Sequence, residues 1–237
     1  LRRIFAEGSF SSAFVPVLSD LREKGDEAQV QDFLNHIAGA LLAVVLAVTA
    51  LGIALSPWIA KIFLAFAGKD SEQVALTAAM LRITFPYLTF ITLTAMAGAV
   101  MNSFRHFGLP AFIPVLHNLS IIFAMLVLAQ YFEIPAFALA WGVLLAGVLQ
   151  FCVMWPALAR FGIKPKFKLD FKHPGVQRVF KLMLPTIFSS SVAQLNLLVG
   201  TIFASALVAN AQSWLYYSDR LTEFPLGLFG VAIGTVI

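Results

Sequence analysis

Charge is what this sequence has least of. Only 12% of its 237 residues are Asp, Glu, Lys or Arg, about half the share usual in soluble domains, and they are unevenly spread. None occurs across 33–60, 83–104, 106–132, 134–159, 182–218 or 224–237. Each of the first four stretches exceeds the ~20 residues that carry a helix across a bilayer. With 60% hydrophobic residues and a mean hydropathy of +0.88, the chain lies outside the soluble globular range. A single cysteine, Cys152, excludes an intrachain disulfide framework and a multi-cysteine metal site. The four histidines (His36, His106, His117 and His173) are scattered without ligand spacing, so no metal site is expected. There is no G-x-S-x-G, H-E-x-x-H, P-loop or aspartate-rich metal motif. Neither an enzyme nor a bound cofactor is therefore expected.

What is present is a series of apolar spans separated by short loops, and the expected fold is all-α: a polytopic helical membrane protein. Seven spans are counted, the first ending near Leu18 and the last starting near Ser213, and the chain reads as part of a longer protein. The stretch 182–218 is too long for one span and is expected to break at the polar turn Asn210–Ser213. Loops at 19–32, around Arg105 and at 160–181 hold ten Lys or Arg, whereas those at 61–74, 130–135 and 210–213 hold two. That asymmetry places the first set in the cytoplasm. It also accounts for the net charge of +4 without invoking nucleic acid. The basic run F-G-I-K-P-K-F-K-L-D-F-K-H-P-G divides the chain into a helical lobe at 1–161, a linker at 162–175 that touches anionic lipid headgroups, and the start of a second lobe at 176–237. Prolines recur within spans (Pro16, Pro86, Pro114, Pro156, Pro185 and Pro225), where neighbouring groups can satisfy the carbonyls they free. Asn102, Gln150, Gln194 and Asn196 are expected to bond between helices, and Arg82 to snorkel toward the outer interface.

Two charged clusters interrupt this apolar background, R-R-I-F-A-E-G at 2–8 and S-D-R-L-T-E-F-P at 218–225. Ionisable groups at membrane depth are costly and mark pathways or charged cargo. Arg3 and Glu7 are four residues apart and share a helix face, as do Asp219 and Glu223, while Arg220 and Glu223 are three apart. A continuous helix puts Arg3 about 22 Å from the boundary near Leu18, inside a hydrocarbon core ~30 Å thick. A guanidinium stays charged and grips phosphate with two parallel hydrogen bonds, so paired arginines at depth suit a pyrophosphate. A structural Arg–Glu ion pair is the simpler alternative. Pro225 opposes the carbonyl of Leu221 within the second cluster, which makes Glu223 and Pro225 candidates for coupling cargo to helix movement.

The segments R-R-I-F-A-E-G-S-F-S-S-A-F-V-P-V-L, L-P-A-F-I-P-V-L-H-N and W-L-Y-Y-S-D-R-L-T-E-F-P-L-G-L-F-G-V-A-I-G-T resemble the MurJ (MviN) family of lipid II flippases. That family belongs to the multidrug/oligosaccharidyl-lipid/polysaccharide exporter superfamily. The resemblance runs through the chain in order and implies the second to eighth of fourteen spans in a two-lobed transporter bundle. It implies that Arg2 or Arg3, together with Arg220, lines a cationic cavity for the lipid II headgroup, and that Glu7 and Glu223 organise the gates. It further implies alternating access in the bacterial inner membrane, with membrane lipids and a coupling cation as further partners. Within the superfamily a drug/cation antiporter or a polysaccharide-lipid flippase is the alternative, though an antiporter would favour acidic cavity residues. Outside it, a lipid-phosphate transferase would need metal-binding carboxylates, and a scaffold would tolerate loss of Arg3 and Arg220.

Overall fold

The computed structural model describes residues 9–23, 27–65, 71–207 and 211–225. Their regular structure is helical throughout. In chain order the helices are α1 (Ser9–Glu23), α2 (Glu27–Ala65), α3 (Ser71–Thr84), α4 (Tyr87–Ser103), α5 (Gly108–Leu126), a 3-10 turn at Leu128–Tyr131, α6 (Ala136–Arg160), α7 (Pro174–Leu207) and α8 (Ala211–Pro225). Among the described residues, four helical stretches are long and apolar enough to cross a bilayer: Glu27–Ile62, Ser71–Ser103, Gly108–Leu126 and Ala136–Arg160. Residues 1–8 of the expected first span and the end of the last lie outside the described residues. Of the polar turn expected at Asn210–Ser213, residues 211–213 open α8 instead, and Asn210 lies outside the described residues.

Helix α1 buries Phe10, Ala13, Phe14, Val17 and Leu18, the i, i+3, i+4, i+7, i+8 stripe of an amphipathic helix. Helix α2 answers with Phe33, Leu34, Ile37, Ala38 and Leu41, and the rings of Phe10, Phe14 and Phe33 stack in series at 4.9 and 5.7 Å. Helix α4 is central, buried at nearly every position from Tyr87 to Met101. Met154 and Leu158 of α6 and Val176, Val179 and Met183 of α7 complete the same core. On α2, by contrast, Leu51, Leu55, Trp58 and Ile62 are exposed at i, i+4, i+7, i+11 spacing. An outward apolar stripe is the expected surface of a helix in contact with lipid.

Prolines shape the spans in two ways. Phe85–Pro86 forms a turn between α3 and α4 within the stretch Ser71–Ser103, with Pro86 itself in helical conformation. Pro57 lies inside α2, where its ring frees the carbonyl of Ile53. Ser56 Oγ donates to that carbonyl at 2.9 Å and itself accepts from Arg82 Nε of α3 at 3.1 Å. A side-chain hydroxyl thus repairs the backbone at a proline and gives the mid-span Arg82 a partner, one that a purely snorkelling arginine would not need. Gln150 of α6, almost fully buried, donates to the Ile113 carbonyl of α5 at 3.0 Å. It is interhelical, as expected.

Two helices end in the same way at one end of the bundle. After α6, Gly162 adopts φ +81°, its N–H reaches the Ala159 carbonyl, and the Ile163 N–H reaches the Leu158 carbonyl. This is a Schellman motif, and Ile163 and Leu158 both belong to the buried core. After α4 the same pair of bonds runs from Arg105 to Asn102 and from His106 to Met101, but here Arg105 occupies the left-handed position at φ 64°. His106 then stacks on Phe161 at 3.9 Å, bringing the two chain reversals together.

Candidate functional site

Of the two charged clusters, Arg2, Arg3 and Glu7 lie outside the described residues. The second is carried by α8, whose backbone is helical from Ala211 to Pro225. A rise of 1.5 Å per residue puts residue 220 about 13 Å into that helix. Positions 219 and 223 are one turn apart on a shared face, with 220 beside them. The Asp219 side chain is exposed and Pro225 closes the helix. Thr222 Oγ1 donates to the Ser218 carbonyl at 2.9 Å, so this hydroxyl is engaged locally within the helix. Helix α8 packs on α7, while its Trp214, Tyr216, Tyr217 and Leu221 are exposed.

A second polar constellation lies where α1, α2 and the basic segment before α7 meet, and only part of it was foreseen. The segment after Gly162 runs along the first turns of α2. The Lys166 N–H donates to Asn35 Oδ1 at 2.6 Å, Gln31 Nε2 to the Lys164 carbonyl at 3.1 Å, and the Lys168 N–H to the Asn35 carbonyl at 3.1 Å. Gly39 permits this approach, because a Cβ there would overlap the Lys168 carbonyl group. Asp32 takes Lys168 Nζ at 3.4 Å. Arg178 at the start of α7 pairs with Asp20 of α1 at 2.6 Å. Arg22 donates to the Ser103 carbonyl and lies 4.1 Å above the Phe104 ring. Two clefts of about 540 and 530 Å³ flank the docked segment, the first beside Arg22, Glu27 and Gln31, the second beside Asp20, Asp32, His173 and Arg178.

The histidines need a correction. His36 and His173, scattered in the sequence, are stacked in space with ring centroids 4.7 Å apart and planes 13° apart. Both face the Asp32 carboxylate, His36 Nδ1 at 3.3 Å and His173 Nε2 at 3.5 Å from the same oxygen. His173 also starts α7. Its carbonyl accepts from the Gln177 N–H at 3.1 Å, its Nδ1 accepts from the Gly175 N–H at 3.2 Å, and Pro174 takes the first helical position that suits proline. An imidazole acting as helix cap leaves no signal in a sequence, since Ser, Thr, Asp and Asn are the usual cap residues. His117 lies against Tyr87 with ring centroids 5.9 Å apart, within the bundle and away from this cluster.

Comparison with known proteins adds a clear relationship. A family model described as "Lipid II flippase MurJ" matches residues 1–237. The "Probable lipid II flippase MurJ" of Haemophilus influenzae is 44% identical over 244 aligned residues, covering 100% of this chain and 48% of the relative. The "Probable lipid II flippase MurJ" of Vibrio cholerae is 42% identical and the "Lipid II flippase MurJ" of Burkholderia cenocepacia 40%, each covering 100% of this chain and, respectively, 46% and 47% of the relative. The chain therefore spans about half the length of the curated relatives it matches.

Proposed function

Because the chain belongs to the lipid II flippase MurJ family, and so to a family of multi-pass membrane transport proteins, we propose that it works as part of a lipid II flippase of the bacterial inner membrane. The cargo is an undecaprenyl-pyrophosphate-linked precursor moved from the cytoplasmic to the outer leaflet by alternating access, with no covalent chemistry. The observation that carries this reading is the match of the whole chain to the family, and α8 is the element that gives it a mechanism. An arginine at position 220 of a helix preceded by the charge-free stretch 182–218 is costly unless it meets an anion or a carboxylate. A pyrophosphate headgroup supplies that anion. Arg2 or Arg3 approaches it from the first lobe and Arg220 from the second.

Asp219, Glu223 and Pro225 then act as a gate, with Glu7 as their counterpart on the first cluster. Cargo arriving at Arg220 competes with Glu223 for its charge. The proline, which leaves the Leu221 carbonyl without its helical donor, lets α8 exchange between two packings. The first turns of α7 travel with the first lobe in this scheme, since Val176, Val179 and Met183 share its core. The lobe boundary then lies beyond Met183 along α7. A cation coupled to the cycle belongs to the same proposal, its site lying elsewhere in the carrier.

Complementation of cells depleted of their own flippase tests the reading in the full-length protein. Arg220→Ala abolishes growth while the protein still reaches the membrane, and Arg220→Lys restores it only partly, because a point charge does not reproduce the guanidinium fork. Normal growth with Arg3 and Arg220 both changed to Ala refutes the cargo role. Spin labels across the two lobes check the gate in the same preparations. Unchanged distances in Glu223→Gln and Pro225→Ala, with and without lipid II, refute it.

A further inference from the structure

The Asp32, His36 and His173 cluster is larger than a salt bridge requires. Three side chains with metal-ligating atoms converge, all those atoms lying within 4.8 Å of one another, and all three residues are partly buried. Two bonds of about 2.0–2.1 Å meeting at a tetrahedral zinc set neighbouring donor atoms about 3.3 Å apart. The carboxylate oxygen of Asp32 stands 3.3 Å from His36 Nδ1 and 3.5 Å from His173 Nε2, long for hydrogen bonds and close to that tetrahedral edge. The two rings stack with planes 13° apart, so one imidazole turns about its Cβ–Cγ bond to bring both lone pairs onto a single ion. We propose that Asp32, His36 and His173 form a binding site for a divalent transition ion of the zinc class, which clamps the segment entering α7 onto α2. The fourth position is open toward the cleft lined by Asp20, Asp32 and Arg178.

The surroundings fit such an ion. Lys168 Nζ stands 3.4 Å from the other oxygen of Asp32 and is exposed enough to remain there as an outer partner or swing away. Neutral imidazole and carboxylate are the donor types that zinc-class ions select. His36 Nδ1 lies 2.8 Å from the Asp32 carbonyl and carries the proton for that bond, which passes to Nε2 when Nδ1 takes the ion. His173 Nδ1 accepts from the Gly175 N–H, so its proton sits on Nε2. Coordination at Nε2 shifts that proton to Nδ1 and frees the Gly175 amide to water. The ion thereby exchanges a helix cap for a cross-link between two elements far apart in the sequence.

The test uses full-length protein in detergent, stripped with a chelator and titrated with Co²⁺ alone, a spectroscopic stand-in for zinc whose visible absorption is strong only in tetrahedral or similarly low-coordinate sites. One saturable equivalent is expected, weakened at least tenfold in His36→Gln and in His173→Ala and unaltered in His106→Ala. Thermal melting of each variant confirms that it is folded, and His36→Gln keeps the side-chain volume in case truncation does not. A band retained at full affinity in either cluster variant, or the lack of any saturable band, overturns the site. No step of this test depends on transport, so its failure and that of the flippase reading are separable.

Discussion

At Gly39 an added Cβ would overlap the Lys168 carbonyl oxygen and lie 2.8 Å from the Lys168 nitrogen. Both are backbone atoms that cannot rotate out of the way. Gly39→Ala is therefore expected to push the segment off α2 and destabilise the protein by about 1–3 kcal/mol, the usual cost of overpacking. Thermal unfolding of the purified full-length protein reads this as a lowered midpoint, and an unchanged midpoint would show that the segment does not lie on α2. The residue scale was the least legible in the sequence. An isolated glycine in A-G-A-L-L looks like any small residue of a membrane helix, and only the carbonyl on its far side explains it. Ser56 is similar. Its place before Pro57 is visible in the sequence, but its bonds to Ile53 and Arg82 depend on how α2 and α3 cross.

At the scale of elements, the segment after α6 docks along α2. Its approach is held by Asn35 in two different ways, the side chain accepting from the Lys166 N–H and the main chain from the Lys168 N–H. Asn35→Ala removes the first bond and leaves the second. Hydrogen exchange in the full-length protein should then accelerate about tenfold at the Lys166 amide, matching the loss of roughly 1.4 kcal/mol of local protection, and far less at Lys168. Equal acceleration at both amides would mean that the segment lifts as a unit and that Asn35 is not a two-point clamp. The basic run was recognisable from its alternating Lys and apolar residues, and a lipid-facing linker was expected of it. Its seating on α2 was not legible, because Lys166 and Asn35 are 131 residues apart. Hydrogen-bond partners at such separations are set by the packing of whole helices.

At the scale of the molecule, one end of the bundle gathers Arg22, Phe104, His106, Phe161 and the segment bearing Lys164, Lys166 and Lys168. These are the loops whose excess of Lys and Arg leads us to expect them on the cytoplasmic side. The prediction is that Lys172→Cys, made in a Cys152→Ala background of the full-length protein, stays unlabelled by an impermeant thiol reagent in intact cells. Gln73→Cys, in the first turn of α3, is labelled. Cys152 must be removed first because it is exposed. Labelling of Lys172→Cys from outside would invert the topology.

The sequence by itself determined that this chain is a helical membrane protein, where its charge-free stretches run and which clusters of arginine and carboxylate stand out. Those properties follow from the free energy of placing each residue type in hydrocarbon, which is local and additive along a helix. It did not determine that Phe85–Pro86 would form a turn, that Arg82 would reach Ser56, or that His36 and His173 would stack over Asp32. Those outcomes belong to the tertiary structure. Each depends on which faces of α2, α3 and the segment entering α7 meet, and the apolar pattern of a membrane helix constrains that weakly because lipid and protein neighbours are equally apolar.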